Sequence, residues 1–140
     1  MKILAAVDGS SYTKHMLAYL AAHDEWLGAH HEYTLLTVVP ALPLRAAAAI
    51  DKATLQAWHD EAAEKVFKPL RTFFKKQGLN ATFVAKVGTP ADVIASTAAK
   101  GNYALLMLGS HGHGALVNLV TGSVATKVLA QCKTPVLLIR

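Results

Sequence analysis

Gly109-Ser110-His111-Gly112, nine further residues, and then Gly122-Ser123 form the stretch that decides how this chain folds. It follows the apolar run Tyr103 to Leu108, which reads as a buried strand. It precedes Val124-Ala125-Thr126-Lys127-Val128-Leu129, whose apolar spacing is that of a helix. A strand, a glycine-bearing turn and a second glycine opening a helix are the parts needed to hold phosphate. Glycine lets the backbone approach an anion closely. The unsatisfied N–H groups of a helix's first turn then face the charge, and the macrodipole favours it. The stretch therefore points first to a nucleotide-binding chain.

Working outward, five short apolar runs recur: Ile3 to Val7, Tyr33 to Val39, Ala81 to Val87, Tyr103 to Leu108, and Val136 to Ile139. Continuous apolar strands suit a parallel sheet covered on both faces. Helical patterns lie between them. Ser10-Ser11 predicts a cap for a helix carrying Met16, Leu17, Leu20 and Ala21 and ending near Gly28. Asp51 predicts a second cap, with Leu55, Trp58, Ala62, Val66, Leu70 and Phe73 on the apolar stripe, a kink at Pro69 and a stop at Gly78. Thr89-Pro90 opens a third helix with Val93, Ile94 and Ala98, ending at Gly101. Gly122-Ser123 opens a fourth, which stops before Pro135. Pro40 to Ala49 reads as a flexible surface loop. Strict β-α alternation predicts a single doubly wound α/β domain, Rossmann-like, over residues 1–140, with right-handed crossovers.

Bulk properties bound the function. A chain of 140 residues, 53% hydrophobic and 16% charged, has enough apolar material for one full core and too little charge for disorder. No apolar run reaches the ~20 residues of a bilayer span, and the start lacks the pattern of a signal peptide. Neither a membrane nor nucleic acid is expected as a partner. The net charge of +5 is dispersed. Its densest set, Lys65, Lys68, Arg71, Lys75 and Lys76, reads as the solvated face of the second helix. Cys132 is the single cysteine, so no internal disulfide forms and a reducing cytoplasm fits.

In open α/β sheets ligands sit beyond the carboxyl ends of strands where the strand order reverses. Three such ends carry suggestive groups here. Asp8, reached through Ala6 and Val7, suits ribose hydroxyls, although Asp-Gly is also ordinary turn chemistry. Val38 and Val39 suit the adenine, although their side chains serve equally as core. Ser123 offers a hydroxyl and an N–H to phosphate, and also a cap for its own helix. His111 and His113 stand two apart. With no cysteine or carboxylate cluster beside them, a phosphate neighbour is favoured over a metal ligand. His30-His31 reads as a polar loop. The apolar segment Ala115 to Val120 reads as a cover for the ligand or part of a subunit contact.

The chain resembles the universal stress protein family over its whole length. The ATP-binding members of that family carry G-x2-G-x9-G-[ST], complete here as Gly109, Gly112, Gly122 and Ser123. The opening Ile3 to Ser10, the junction Gly88-Thr89-Pro90 with Val93-Ile94, and the ending Lys133 to Leu138 are similar to the family's in register. The resemblance implies a five-stranded parallel sheet in the order 3-2-1-4-5 and a homodimer joined through the C-terminal strand. It implies ATP, ADP or AMP as ligand, with Mg2+ or Mn2+ on the phosphates. Asp8 would then meet the ribose and Val38 or Val39 the adenine. Gly109, His111 and Gly112 would line the ribose and phosphate side. Gly122, Ser123, Val124 and Ala125 would hold phosphates, largely through backbone. Position 125 is alanine where some members have a hydroxyl, and position 113 is histidine where some have lysine.

The leading expectation is a nucleotide-dependent dimeric switch in stress response or signalling. A slow ATPase or phosphotransferase is the enzymatic alternative, and G-x4-G-K-[ST] is absent from the sequence. A nucleotide-free interaction module is the third reading, and a flavin-binding flavodoxin-like protein a remote fourth.

Overall fold

The computed structural model describes residues 1–112 and 121–140. The chain alternates as β1 (Lys2–Ala6), α1 (Ser11–Ala22), β2 (Glu32–Val39), α2 (Leu44–Ala48), α3 (Lys52–Lys76), β3 (Asn80–Val87), α4 (Pro90–Lys100), β4 (Leu105–Gly109), α5 (Ser123–Gln131) and β5 (Val136–Ile139). All strand pairings are parallel, and the sheet order is β3-β2-β1-β4-β5. The order reverses at β1, which pairs with β2 on one side and β4 on the other.

Strand residues alternate between two cores. Ile3, Ala5, Leu35 and Met107 join Met16 and Leu20 of α1 and Phe67, Leu70 and Phe74 of α3. Leu4, Leu36, Leu106 and Leu108 join Ala91, Ile94 and Ala98 of α4 and Ala125 and Val128 of α5. Ile3, Leu4 and Ala5 are fully buried, which explains why β1 reads as one apolar run rather than an alternating one. Each large side chain so buried contributes about 1.5–3 kcal/mol.

Several sequence expectations are corrected. The segment expected as a loop from Pro40 to Ala49 contains α2, because its alanines are strong helix formers; no residue of that turn is buried. The buried stripe of α3 is Ala63, Phe67, Leu70 and Phe74, so Trp58, expected on it, is instead exposed. The phenylalanines decide the rotation: Phe67 packs on Phe83 with ring centroids 5.3 Å apart, and Phe74 on Tyr33 at 5.6 Å. Pro69 lies inside α3 on its exposed face, and the helix is continuous on both sides of it.

Helix α1 ends at Ala22, short of Gly28; the ring of His23 places Nδ1 2.9 Å from the Tyr19 carbonyl oxygen at that end. His31, expected in a polar loop, is buried, with Nε2 2.7 Å from the carbonyl oxygen of Trp26. The basic set on α3 is exposed as expected. No helix among the described residues is long and apolar enough to cross a membrane.

Candidate functional site

Where the strand order reverses, the carboxyl ends of β1, β2 and β4 open onto one cavity of about 560 Å3. This lies within the range of small-molecule sites. Twelve of the sequence-nominated residues line it: Ala6, Val7, Asp8, Val38, Val39, Gly109, His111, Gly112, Gly122, Ser123, Val124 and Ala125. His113, the remaining one, and the apolar segment Ala115 to Val120 lie outside the described residues.

Asp8 lies just past β1 and is fixed by the turn into α1. Its Oδ1 accepts hydrogen bonds from the Ser10 amide at 2.9 Å and from the Thr13 hydroxyl at 3.2 Å. Thr13 Oγ1 in turn accepts from the amides of Asp8 and Gly9, at 3.2 and 3.1 Å. Ser10 occupies the cap position of α1, yet its hydroxyl makes no cap bond and is buried without a partner. The side-chain cap expected of Ser10-Ser11 is not made; the Thr13 hydroxyl instead ties together the turn that precedes α1. Asp8 serves as turn-former through Oδ1 while Oδ2 lies against Gly112: a Cβ on residue 112 would stand 2.5 Å from it.

Beyond β1, strand β2 continues alone on that side. The Val7 amide donates to the Leu36 carbonyl, and the Gly88 amide to the Val39 carbonyl. Alternation along the strand therefore turns the N–H and C=O of Val38 toward the side where β1 has ended. One donor and one acceptor, side by side, face the cavity there. The side chains of Val38 and Val39 pack into the two opposite cores.

The third wall is formed by the described residues at the end of β4 and the start of α5. Gly109 closes β4 instead of opening the turn. Gly122 caps α5 in extended conformation, and its amide donates to the Ser110 carbonyl at 2.6 Å. The Gly122 N–H is therefore engaged within the chain. The close packing here has no space for a side chain: a Cβ at 122 would stand 3.1 Å from both Ser110 O and His111 Cα. The amides of Ser123, Val124 and Ala125, in the first turn of α5, have no intrahelical acceptor and receive no side-chain cap. They form the electropositive end of the site. Ser110 Oγ and His111 Nδ1 are 3.0 Å apart, which orients the imidazole on the cavity wall. Among the described lining residues there is no lysine or arginine. No group of three or more potential metal ligands occurs among the described residues.

Residues not nominated from sequence complete the walls. They include Tyr12, Thr13 and Met16 of α1, Thr37 and Pro40, Ala62 and Val66 of α3, and Pro90 and Ile94 of α4. Only their placement in three dimensions brings these helices to the crevice. Spacing within each helix gives no sign of it.

No curated protein matches the chain at a significant level. Solved structures do. The hypothetical protein MJ0577 is 25% identical and superposes with a TM-score of 0.83 over 99% of this chain and 94% of its own. Universal stress protein UspA from Lactobacillus plantarum is 21% identical, with a TM-score of 0.81 over 100% of this chain and 97% of its own. A universal stress protein family protein from Arabidopsis thaliana, solved with AMP bound, is 16% identical, with a TM-score of 0.71 over 99% of this chain and 90% of its own. Two further universal stress proteins of this fold were solved with cAMP and, from Archaeoglobus fulgidus, with dAMP. The model of the universal stress protein family matches residues 1–140, and the chain belongs to that family.

Proposed function

We propose that this chain binds an adenine nucleotide in the crevice between the ends of β1, β2 and β4. The observation that carries the proposal is the pairing of two unmatched backbone features on one cavity. The first-turn amides of α5, Ser123 to Ala125, suit phosphate. The Val38 N–H and C=O suit the donor–acceptor edge of adenine. Asp8 stands between them as acceptor for ribose hydroxyls. AMP, dAMP and cAMP in structures of other family members support this choice of ligand class.

ATP or ADP fits the same reading, with further phosphates extending past Ser123 and Gly112. Asp8 is the only carboxylate on the described wall, so Mg2+ or Mn2+ would take its ligands chiefly from phosphate oxygens. With no lysine or arginine among the described lining residues to stabilise charge in transfer, the site suits holding phosphate rather than moving it quickly. Binding is therefore the function and hydrolysis at most a slow side reaction.

The nucleotide acts as the input of a dimeric switch in stress response, in the cytoplasm. Among the described residues, edge strand β5 pairs only with β4 and leaves its other backbone edge for a second copy. Ser110, between cavity residues Gly109 and His111, donates its N–H to Ile139 of β5 at 2.7 Å. The ligand wall and the dimer edge thus share a backbone bond through which occupancy biases association.

Calorimetric titration with AMP, ADP and ATP, with and without magnesium, tests the reading. Dissociation constants well below millimolar for at least one are expected. Failure of all three to bind below millimolar overturns it.

A further inference from the structure

We propose that Tyr12 is a ligand-contacting residue of this cavity that reads a ribose hydroxyl, making the site selective for ribonucleotides over analogues that lack that hydroxyl. The inference rests on the nucleotide reading above and assigns a role that the phosphate motif does not contain.

Tyr12 lies in the first turn of α1 and lines the cavity. Three neighbours fix its position. A Cβ on Gly109 would stand 2.8 Å from Tyr12 Cβ, so the tyrosine sits hard against the end of β4. Its ring packs beside the His111 ring, with centroids 5.2 Å apart, and edge-on to His15 at 5.4 Å. It is the one phenol on the described cavity wall, and its hydroxyl makes no hydrogen bond to any described residue. A half-buried phenol held by its ring, with its donor unused by the protein, is suited to a ligand oxygen.

The position selects which oxygen. Phosphate belongs at the α5 amides and the base at Val38. The segment between them is bounded by Asp8 and Tyr12 below and by Gly109 and Gly112 above. Asp8 and Tyr12 leave the same turn, and Thr13, next to Tyr12, bonds to the Asp8 carboxylate. An ionised carboxylate only accepts hydrogen bonds, whereas a phenol donates. A ribose hydroxyl needs both, its proton going to Asp8 and its oxygen receiving the Tyr12 proton. A sugar lacking that hydroxyl leaves the Tyr12 donor unused, a loss that a polar site penalises more than a missing apolar contact.

The test measures affinities of wild-type protein and Tyr12→Phe for AMP, 2′-deoxy-AMP and 3′-deoxy-AMP, alongside thermal melts. Wild type is expected to favour AMP about tenfold or more over at least one deoxy ligand. In Tyr12→Phe that preference falls about fivefold, while deoxy-ligand affinity and melting temperature stay near wild type. Equal weakening toward all three ligands means a merely structural role and overturns the inference. So does an unchanged preference, or a wild type that binds all three equally. Failure of the wild type to bind any of the three removes the nucleotide reading itself, and the inference with it.

Discussion

The carboxylate of Asp8 occupies the space that a side chain on residue 112 would need. A Cβ built on Gly112 stands 2.5 Å from Asp8 Oδ2. The two residues are far apart in sequence, one just past β1 and the other just past β4. Their contact spans the point where the strand order reverses.

Gly112→Ala therefore displaces the carboxylate. Oδ1 is held by Ser10 and Thr13, so the added methyl either breaks those bonds or turns Oδ2 away from the cavity. Because Asp8 is exposed, stability changes by less than about 1 kcal/mol. AMP affinity falls about tenfold, the loss of one charge-assisted hydrogen bond. Calorimetry and thermal melts on the same sample check both halves.

Gly122→Ala behaves in the opposite way. Residue 122 has φ −69°, ψ 167°, which alanine adopts easily, and the shorter list of unfolded states would by itself stabilise the variant by about 0.4–1 kcal/mol. The contact decides the sign. The new methyl meets backbone, at 3.1 Å from Ser110 O and His111 Cα, and backbone there cannot rotate aside. A net destabilisation of about 1–3 kcal/mol is expected in urea unfolding.

Ser123→Pro removes one amide of the cradle and leaves the helix intact. Residue 123 is the first residue of α5, where proline is at home, and Gly122 already has the extended conformation that a following proline demands. The melting temperature is expected to hold within a few degrees while affinity for AMP falls about tenfold or more. Adenosine, lacking phosphate, should lose little. An equal loss for adenosine and AMP would show that the amide does not face phosphate.

Tyr33 sets an alkaline limit to stability. Its hydroxyl donates to the Leu27 carbonyl at 2.6 Å, and burial pushes its pKa up to about 12. The unfolded chain ionises near the ordinary value of 10, so the contribution is complete below that pH and is lost as pH rises toward 12. Wild-type stability should fall across this window. Tyr33→Phe should be about 1 kcal/mol less stable at neutral pH and show a flatter alkaline limb, because the Leu27 carbonyl loses its donor while the titrating group is gone. Urea melts at intervals between neutrality and pH 12 check it.

Most of the framework was legible in the residues. β-α alternation gave the class, and the spacing Gly109, Gly112, Gly122, Ser123 located one wall of the crevice. The sheet order came through the resemblance, because five apolar runs alone do not rank themselves in space. Rotation of α3 was misread at Trp58 because the choice between two adjacent apolar stripes is made by partners on other elements, here Phe83 and Tyr33. The short helix α2 was missed because its alanines have propensity without periodicity. Tyr12 carried no signal at all: one aromatic in an amphipathic helix is ordinary, and only its approach to Gly109 and His111 makes it part of the site. The engagement of the Gly122 amide gave no sign in the sequence either, since its bond to Ser110 is tertiary.

An NMR titration of 15N-labelled protein with AMP tests the central claim most directly. The amides of Ser123, Val124, Ala125 and Val38 are expected to shift together, saturating with one affinity, and adenosine should move Val38 while leaving the α5 amides near their starting positions. Saturable binding that leaves Ser123 to Ala125 unmoved would contradict the account.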